Sequence, residues 1–339
     1  MRRKAGRLFR ANIQFDEAQR SSWARTQRMA ALSKFRFPTV SLAKLISGLL
    51  AIVLFLLVSV SSVAGFLVYQ ILRPSRAPAS YDLGVMMGHP VTLSFPVPGG
   101  GTREGFFFPG LRGAPTIVVC HGYGSQRSDV LTLVSALQDQ EFNVFLFDFA
   151  GHGNNPPGTT LGYREVGELR SAIQTLSTRD DVDPQRFGLW GVDMGGYVAL
   201  EVATSDPRVK AFIVDDAYSD PRVLVQNEVK KSGLTILPLV GEFSDFGFRM
   251  MNYQFKSQPP VTGQLPSTKG IPKLFFVSED RQALATETMN LYNRAPDPKQ
   301  MVRTSAAYSV MSDDSRKSYE NQVVAFFLQN LPPTASAKN

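Results

Sequence analysis

The chain has 339 residues, 43% of them hydrophobic, so it can bury a core and is not globally disordered. Its formal net charge is +7, but 11 basic and only 2 acidic residues fall in residues 1–44, against 25 and 27 in the remainder. The folded part is therefore close to neutral, which excludes a broad nucleic-acid surface on it, and the single cysteine, Cys120, excludes an intrachain disulfide.

Residues 1–44 predict a basic cytoplasmic tail. Phe9, Phe15, Trp23, Phe35 and Phe37 are interleaved with its arginines. Such a stretch can lie on an anionic leaflet, but a disordered tail needs fewer assumptions. Residues 45–72 then contain no charge, a run of 28. A bilayer core takes about 20 apolar helical residues, so this run predicts one transmembrane helix, long enough to span even when tilted. The heavier basic flank stays inside. This predicts a single-pass cell-membrane protein with a cytoplasmic N-terminus and an extracytoplasmic C-terminal domain. Ala77-Pro78-Ala79 resembles a cleavage site, yet the 44-residue leader and 28-residue run are both too long for a cleavable signal. Residues 73–88, rich in Pro, Ala and Ser, predict a linker.

Residues 89–332 predict one α/β domain, and residues 333–339 a disordered tail. Residues 89–97 and 102–109 read as an opening hairpin around Gly99-Gly100-Gly101. Apolar runs at 116–120, 143–147, 187–190, 209–214 and 273–277 predict strands covered on both faces. Helical patterns at 130–137, 166–176, 194–204, 284–292 and 319–328 alternate with them. The alternation predicts a mostly parallel, doubly wound sheet. Residues 220–265 are irregular in pattern and predict a small cap. There Phe243, Phe246, Phe248, Met250 and Met251 line a pocket or simply pack as cap core.

Three short motifs fall just beyond the C-terminal ends of strands, where α/β sheets bind ligands. They are His121-Gly122-Tyr123-Gly124, Gly151-His152-Gly153, and Gly191-Val192-Asp193-Met194-Gly195-Gly196. With these motifs in this order, about residues 85–332 resemble the α/β-hydrolase superfamily, especially its serine aminopeptidase-like and acylglycerol lipase-like members. The resemblance implies an α/β-hydrolase fold. It makes the third motif the nucleophile elbow, Gly-x-Ser-x-Gly in the family, and puts Asp193 at the nucleophile position. Asp280 then stands at the acid position, and the backbone N–H groups of Tyr123 and Met194 would form the oxyanion hole.

Two positions depart from that pattern. Asp193 stands where the family has serine, and a carboxylate cannot act as the nucleophile of the serine mechanism. No histidine follows His152, so the general base expected near residues 305–312 is missing. Haloalkane dehalogenases and epoxide hydrolases do use Asp at this elbow, but a histidine must activate the water that cleaves their ester intermediate. His152 is the nearest substitute base, and His121 would brace the oxyanion loop. Alternatively Asp193 only holds the turn, because Asp tolerates positive φ, and its oxygens accept the oxyanion-hole bonds internally. A cation between Asp193, Asp280, Asp215 and Asp216 would need a ligand spacing that the sequence lacks, so no metal or cofactor is expected.

The sequence therefore predicts a membrane-anchored α/β-hydrolase-fold protein that has lost ordinary serine-hydrolase activity. It would bind a small apolar or ester-like ligand or a membrane protein partner, and no nucleic acid. The alternative is an active hydrolase of esters, amides or epoxides using an unusual site around Asp193.

Overall fold

The computed structural model describes Trp23, Arg25 and residues 41–75 and 90–334, apart from the side chain of Thr235. The readings placed on the rest of the basic tail, on most of the linker with His89, and on residues 335–339 lie outside the described residues. The chain divides into two units, residues 1–58 and 59–339.

Helix α1 (Leu42–Ile71) carries the uncharged run. It is long and apolar enough to cross a membrane by length and composition. In the first unit its residues 42–58 are exposed along every face. In the second unit its last three turns behave differently. Ala64, Leu67, Val68 and Ile71 are buried at helical spacing, and Leu67, Val68 and Ile71 join the domain's apolar core. Tyr123 Oη donates to the Ile71 carbonyl at 2.8 Å, and Thr159 N–H to the Leu72 carbonyl at 2.9 Å. The end of the run expected to be wholly membrane-spanning is thus domain core on one face.

The domain is built on a sheet of β1 (Val91–Pro96), β2 (Thr102–Phe108), β3 (Thr116–Cys120), β4 (Asn143–Phe147), β5 (Phe187–Val192), β6 (Val209–Asp215), β7 (Lys273–Ser278) and β8 (Lys299–Thr304). Their order across the sheet is β1-β2-β4-β3-β5-β6-β7-β8. The pairs β1/β2 and β2/β4 are antiparallel, and all the others are parallel. The central strands β3, β4 and β5 are buried along their whole length, as their unbroken apolar runs require. One face of the sheet is covered by α3 (Tyr163–Leu176), α4 (Met194–Ala203), the cap and the end of α1; the other is covered by α2 (Leu131–Gln138) and α8 (Asp313–Asn330).

Two expectations are corrected. Strand β8, Lys-Gln-Met-Val-Arg-Thr, gave no apolar run because it is a half-exposed edge strand. The cap is not irregular: it contains α5 (Pro221–Lys231) and α6 (Val240–Met251), joined by short 3₁₀ turns. Asp220 caps α5, its carboxylate accepting from Arg222 N–H at 2.9 Å, and Pro221 opens the helix; both are start signals that the sequence carries. Helix α7 (Gln282–Arg294) follows β7 and packs on it. At the C-terminus, residues just past α8 are tied down, since Arg186 donates to the carbonyls of Pro332 at 2.7 Å and Thr334 at 2.9 Å.

Candidate active site

The turn from β5 into α4 follows the strand directly, with one residue between Val192 and Met194. Asp193 sits on it with φ 37° and ψ −101°, a left-handed conformation. The turn closes only because its neighbours have no side chain. A Cβ on Gly191 would lie 2.2 Å from the Gly195 carbonyl oxygen, and one on Gly195 would lie 2.2 Å from that of Cys120.

The Asp193 side chain is almost fully buried, and both of its oxygens are taken. Oδ1 accepts from Tyr123 N–H at 2.6 Å and from Met194 N–H at shorter range. Those are the two donors expected to form an oxyanion hole. The carboxylate also caps the N-terminus of α4, where a helix's unpaired amides favour an anion. Oδ2 accepts from Arg281 Nη1 at 3.0 Å in an ion pair of which Asp193 is 6% and Arg281 24% exposed. The second guanidinium nitrogen, Nη2, donates to Ser309 Oγ at 3.3 Å. Burial works against the arginine's charge, but Asp193 and, beyond it, Asp216 and Asp215 outweigh that and hold its pKa above the ordinary value.

Arg281 is the residue that sequence reasoning missed. It follows Asp280 directly and reaches both the elbow and the 305–312 loop, where the resemblance implies an imidazole. The available signal was charge balance: a buried Asp193 needs a cation, and Arg281 is the basic residue on the loop after β7. Asp280 itself accepts a bond from Ala307 N–H at 2.9 Å. It therefore ties the loop after β7 to the loop after β8, rather than orienting a base.

A second layer of carboxylates lies beneath. Asp193 N–H donates to the Asp215 carbonyl at 2.8 Å. The Asp215 side chain is buried; Oδ2 accepts from Tyr319 Oη at 3.0 Å, and Oδ1 has no partner among the described residues. Burial, with Asp216 as its neighbour, raises its pKa well above the usual carboxylate range. Asp216, also at positive φ, accepts from the Ser278 N–H at 3.0 Å and from the Ser278 hydroxyl. Burial pushes its pKa up to about 6, although the Ser278 bonds and Arg281 pull the other way.

His152 and His121 are both held by backbone groups. His152 accepts from Gly124 N–H at Nε2 (3.1 Å), and its Nδ1 is 2.9 Å from the Ala150 carbonyl, which it meets as a donor. Burial and the adjacent His121 push its pKa down to about 3. Both ring nitrogens are engaged by backbone, so the substitute-base reading has no free nitrogen to use. His121 is held in the same way, between the Gly122 carbonyl (2.9 Å) and Phe149 N–H (3.0 Å), on the loop it was expected to brace.

The cap holds a separate cavity of about 810 Å³, lined by Phe246, Phe248 and Met250 of α6, by Phe255, Tyr163, Asp220 and Arg222, and by the 252–260 segment. Tyr163 stacks on Phe255 at 5.4 Å and on Phe248 at 6.1 Å between ring centres. Of the five cap residues expected to line a pocket, Phe243 and Met251 are not in this wall, and Met251 points to solvent.

Residues 115–255 match a family model described as the alpha/beta hydrolase fold. The uncharacterized protein YfhR of Escherichia coli K12 is 28% identical over 244 residues, 69% of this chain and 79% of that protein. An uncharacterized Mycobacterium tuberculosis protein is 35% identical over 105 residues, 30% of this chain and 37% of that one. An esterase of Pyrococcus furiosus superposes with a TM-score of 0.62 at 18% identity, covering 77% of this chain and 99% of that one. An α/β hydrolase from a Penicillium species superposes with a TM-score of 0.56, also at 18% identity, covering 72% and 99%. The domain thus has the α/β-hydrolase fold, with an esterase among its structural neighbours.

Proposed function

We propose that this chain, a carrier of the α/β-hydrolase fold, is a membrane-anchored binding protein whose elbow has been converted from a nucleophile site into a fixed internal anion. One observation carries the reading. The Asp193 carboxylate occupies the two backbone donors that would otherwise receive a substrate oxyanion, and Arg281 clamps its other oxygen. An oxyanion hole accelerates acyl transfer because its donors wait unpaired for charge that develops in the transition state. Donors already bonded to a carboxylate have nothing to offer an incoming carbonyl. Asp193 as an alkyl-transfer nucleophile would need Oδ2 free of Arg281, and then a base to release the ester; both nearby histidines have their nitrogens engaged.

The ligand site in this reading is the cap cavity. At about 810 Å³ it has the size of a site for a small apolar or ester-like molecule, with an aromatic floor and the Asp220–Arg222 pair at its wall. Helix α1 is the anchor. It crosses the cell membrane, with the basic N-terminal tail inside and the domain outside, and a neighbouring membrane protein is the second kind of partner that this placement supports.

A test uses the full-length chain in detergent with 4-methylumbelliferyl hexanoate. The ester is expected to bind and remain intact, and Phe248→Ala together with Phe255→Ala weakens binding at least about tenfold, the loss of roughly 1.4 kcal/mol of aromatic contact. Binding unchanged in the double variant would remove the cavity from the account.

A further inference from the structure

We infer, resting on the cap cavity as the ligand site proposed above, that its ligand is an amphipathic carboxylate. The apolar body lies in the aromatic cavity, and the charged head lies in an adjoining cavity walled by Arg103, Arg164 and Arg170.

The adjoining cavity is about 720 Å³ and is lined by the β1–β2 turn, by Arg103 of β2, by the first half of α3, by Glu201 and by residues from 254 to 264. It has Tyr163, Phe255, Gln258 and Pro259 in common with the first cavity. The stacked Tyr163–Phe255 pair thus lines both spaces, and the two are lobes of one cleft. Their chemistry differs. The first lobe adds Phe246, Phe248 and Met250 to the shared pair. The second adds no aromatic side chain and brings three guanidiniums instead.

The sequence of α3 builds that second wall. Positions 164, 167 and 170 fall along one stripe of the helix and carry Arg, Gly and Arg. The glycine lets the β1–β2 turn close on the helix between the two arginines, since a Cβ on Gly167 would lie 2.6 Å from Pro98 Cγ.

Charge selects the head. Across both lobes the lining holds six cations against two carboxylates, Asp220 and Glu201. Outside the lining, Asp245 pairs with Arg249 at 2.9 Å and Glu168 with Arg103 at 3.0 Å. With both of these counted the cleft still has an excess of positive charge, whereas residues 45–339 as a whole carry 25 basic and 27 acidic residues. Within the second lobe Arg103 and Arg164 share one carboxylate, because Arg164 Nε is 4.0 Å from the Glu168 oxygen that Arg103 holds. Burial and the neighbouring Glu165 push the Glu168 pKa up to about 7, so its charge is an expensive balance for the pair. Arg170 donates to the Ser205 hydroxyl at 2.9 Å and forms no ion pair among the described residues. Glu201 is occupied from the other side, both of its oxygens accepting from Gln264 Nε2 at 3.0 and 3.3 Å. Guanidiniums are planar forks of donors that match a two-oxygen head, and a neutral ligand covering them would strip water from charges it cannot meet.

The test is isothermal titration of the full chain in nonionic detergent with octanoate and with octanamide, its neutral isostere, each also titrated into protein-free micelles. Octanoate is expected to bind at least about tenfold more tightly than octanamide. Arg164→Gln together with Arg170→Gln brings octanoate to the level of the amide and leaves the amide unchanged. Raising NaCl from about 50 mM to about 500 mM weakens octanoate alone, which reads the same contrast on the unmodified chain. Phe248→Ala together with Phe255→Ala weakens both ligands. Equal affinities that both fall in the phenylalanine variant would overturn the inference and leave the cavity as the ligand site. A preference for octanoate that survives the arginine variant and high salt would overturn it as well, since the head would lie elsewhere. No binding of either, or binding untouched by the phenylalanine variant, would remove the cavity reading and this inference with it.

Discussion

Two layers of carboxylate lie one above the other in this domain, and they handle burial in opposite ways. In the upper layer every oxygen of Asp193 has a donor, two backbone amides on one and a guanidinium on the other. In the lower layer Asp215 and Asp216 crowd each other, one oxygen of Asp215 has no partner among the described residues, and burial raises the pKa of both acids. The upper site is a balanced charge; in the lower pair burial and mutual repulsion make each charge costly. The contrast explains how an anion can stand on an elbow that other members of the fold use for chemistry. Two backbone amides at a helix N-terminus favour an anion at this turn, and Arg281 on the adjoining loop balances it.

The largest way to break this comparison is to remove the cation. Arg281→Met leaves Asp193 buried without its partner and is expected to cost about 3 kcal/mol in urea unfolding of the detergent-solubilised chain. Adding Asp193→Asn should recover part of that loss, whereas Asp193→Asn alone costs less than Arg281→Met. Additive single effects would show that the two side chains are not coupled.

The lower layer gives a smaller, pH-dependent effect. The folded pKa of Asp216 is raised to about 6 from 3.8, so the folded state holds this proton more tightly than the unfolded chain does. The stability it contributes is complete below about pH 4 and is lost as pH rises through 6. Asp216→Asn should therefore gain on the unmodified chain by on the order of 2 kcal/mol between pH 4 and pH 7. His152 works in the other direction: its pKa is lowered from 6.5 to about 3, so its contribution is present above pH 6.5 and fades as pH falls. Comparing the variant with the unmodified chain at each pH removes the His152 part and leaves that of Asp216 together with its interaction with Asp215. A difference that does not change with pH would contradict the titration. The smallest effect belongs to Arg112→Ala, which breaks a pair exposed at 70% and 86%; no measurable change in stability is expected there.

Much of this was legible in the sequence, and the parts that were not share a cause. The central strands announced themselves because they are covered on both faces and so run apolar without interruption. The elbow was legible from Gly191, Gly195 and Gly196, whose spacing is a steric requirement of the turn. Strand β8 was not, because an edge strand with one side in solvent has no such run. Arg281 was not, because the resemblance implies an imidazole there, and one arginine among many carries no pattern until the fold brings it to Asp193. In the cap a third reason applies. Helix α6 exposes Phe246, Met250 and Met251, so it lacks a clean polar stripe, whereas α5 does turn Gln226, Lys230 and Lys231 outward and was announced by Asp220-Pro221.

Turnover is the most direct measure of whether the elbow is closed. Purified full-length chain would be assayed with short-chain nitrophenyl esters, aminoacyl anilides and styrene oxide, and exposed to a fluorophosphonate probe, alongside Asp193→Ala. No product above buffer and no labelled protein are expected in either form. Hydrolysis of any of these substrates that disappears in Asp193→Ala would contradict the account.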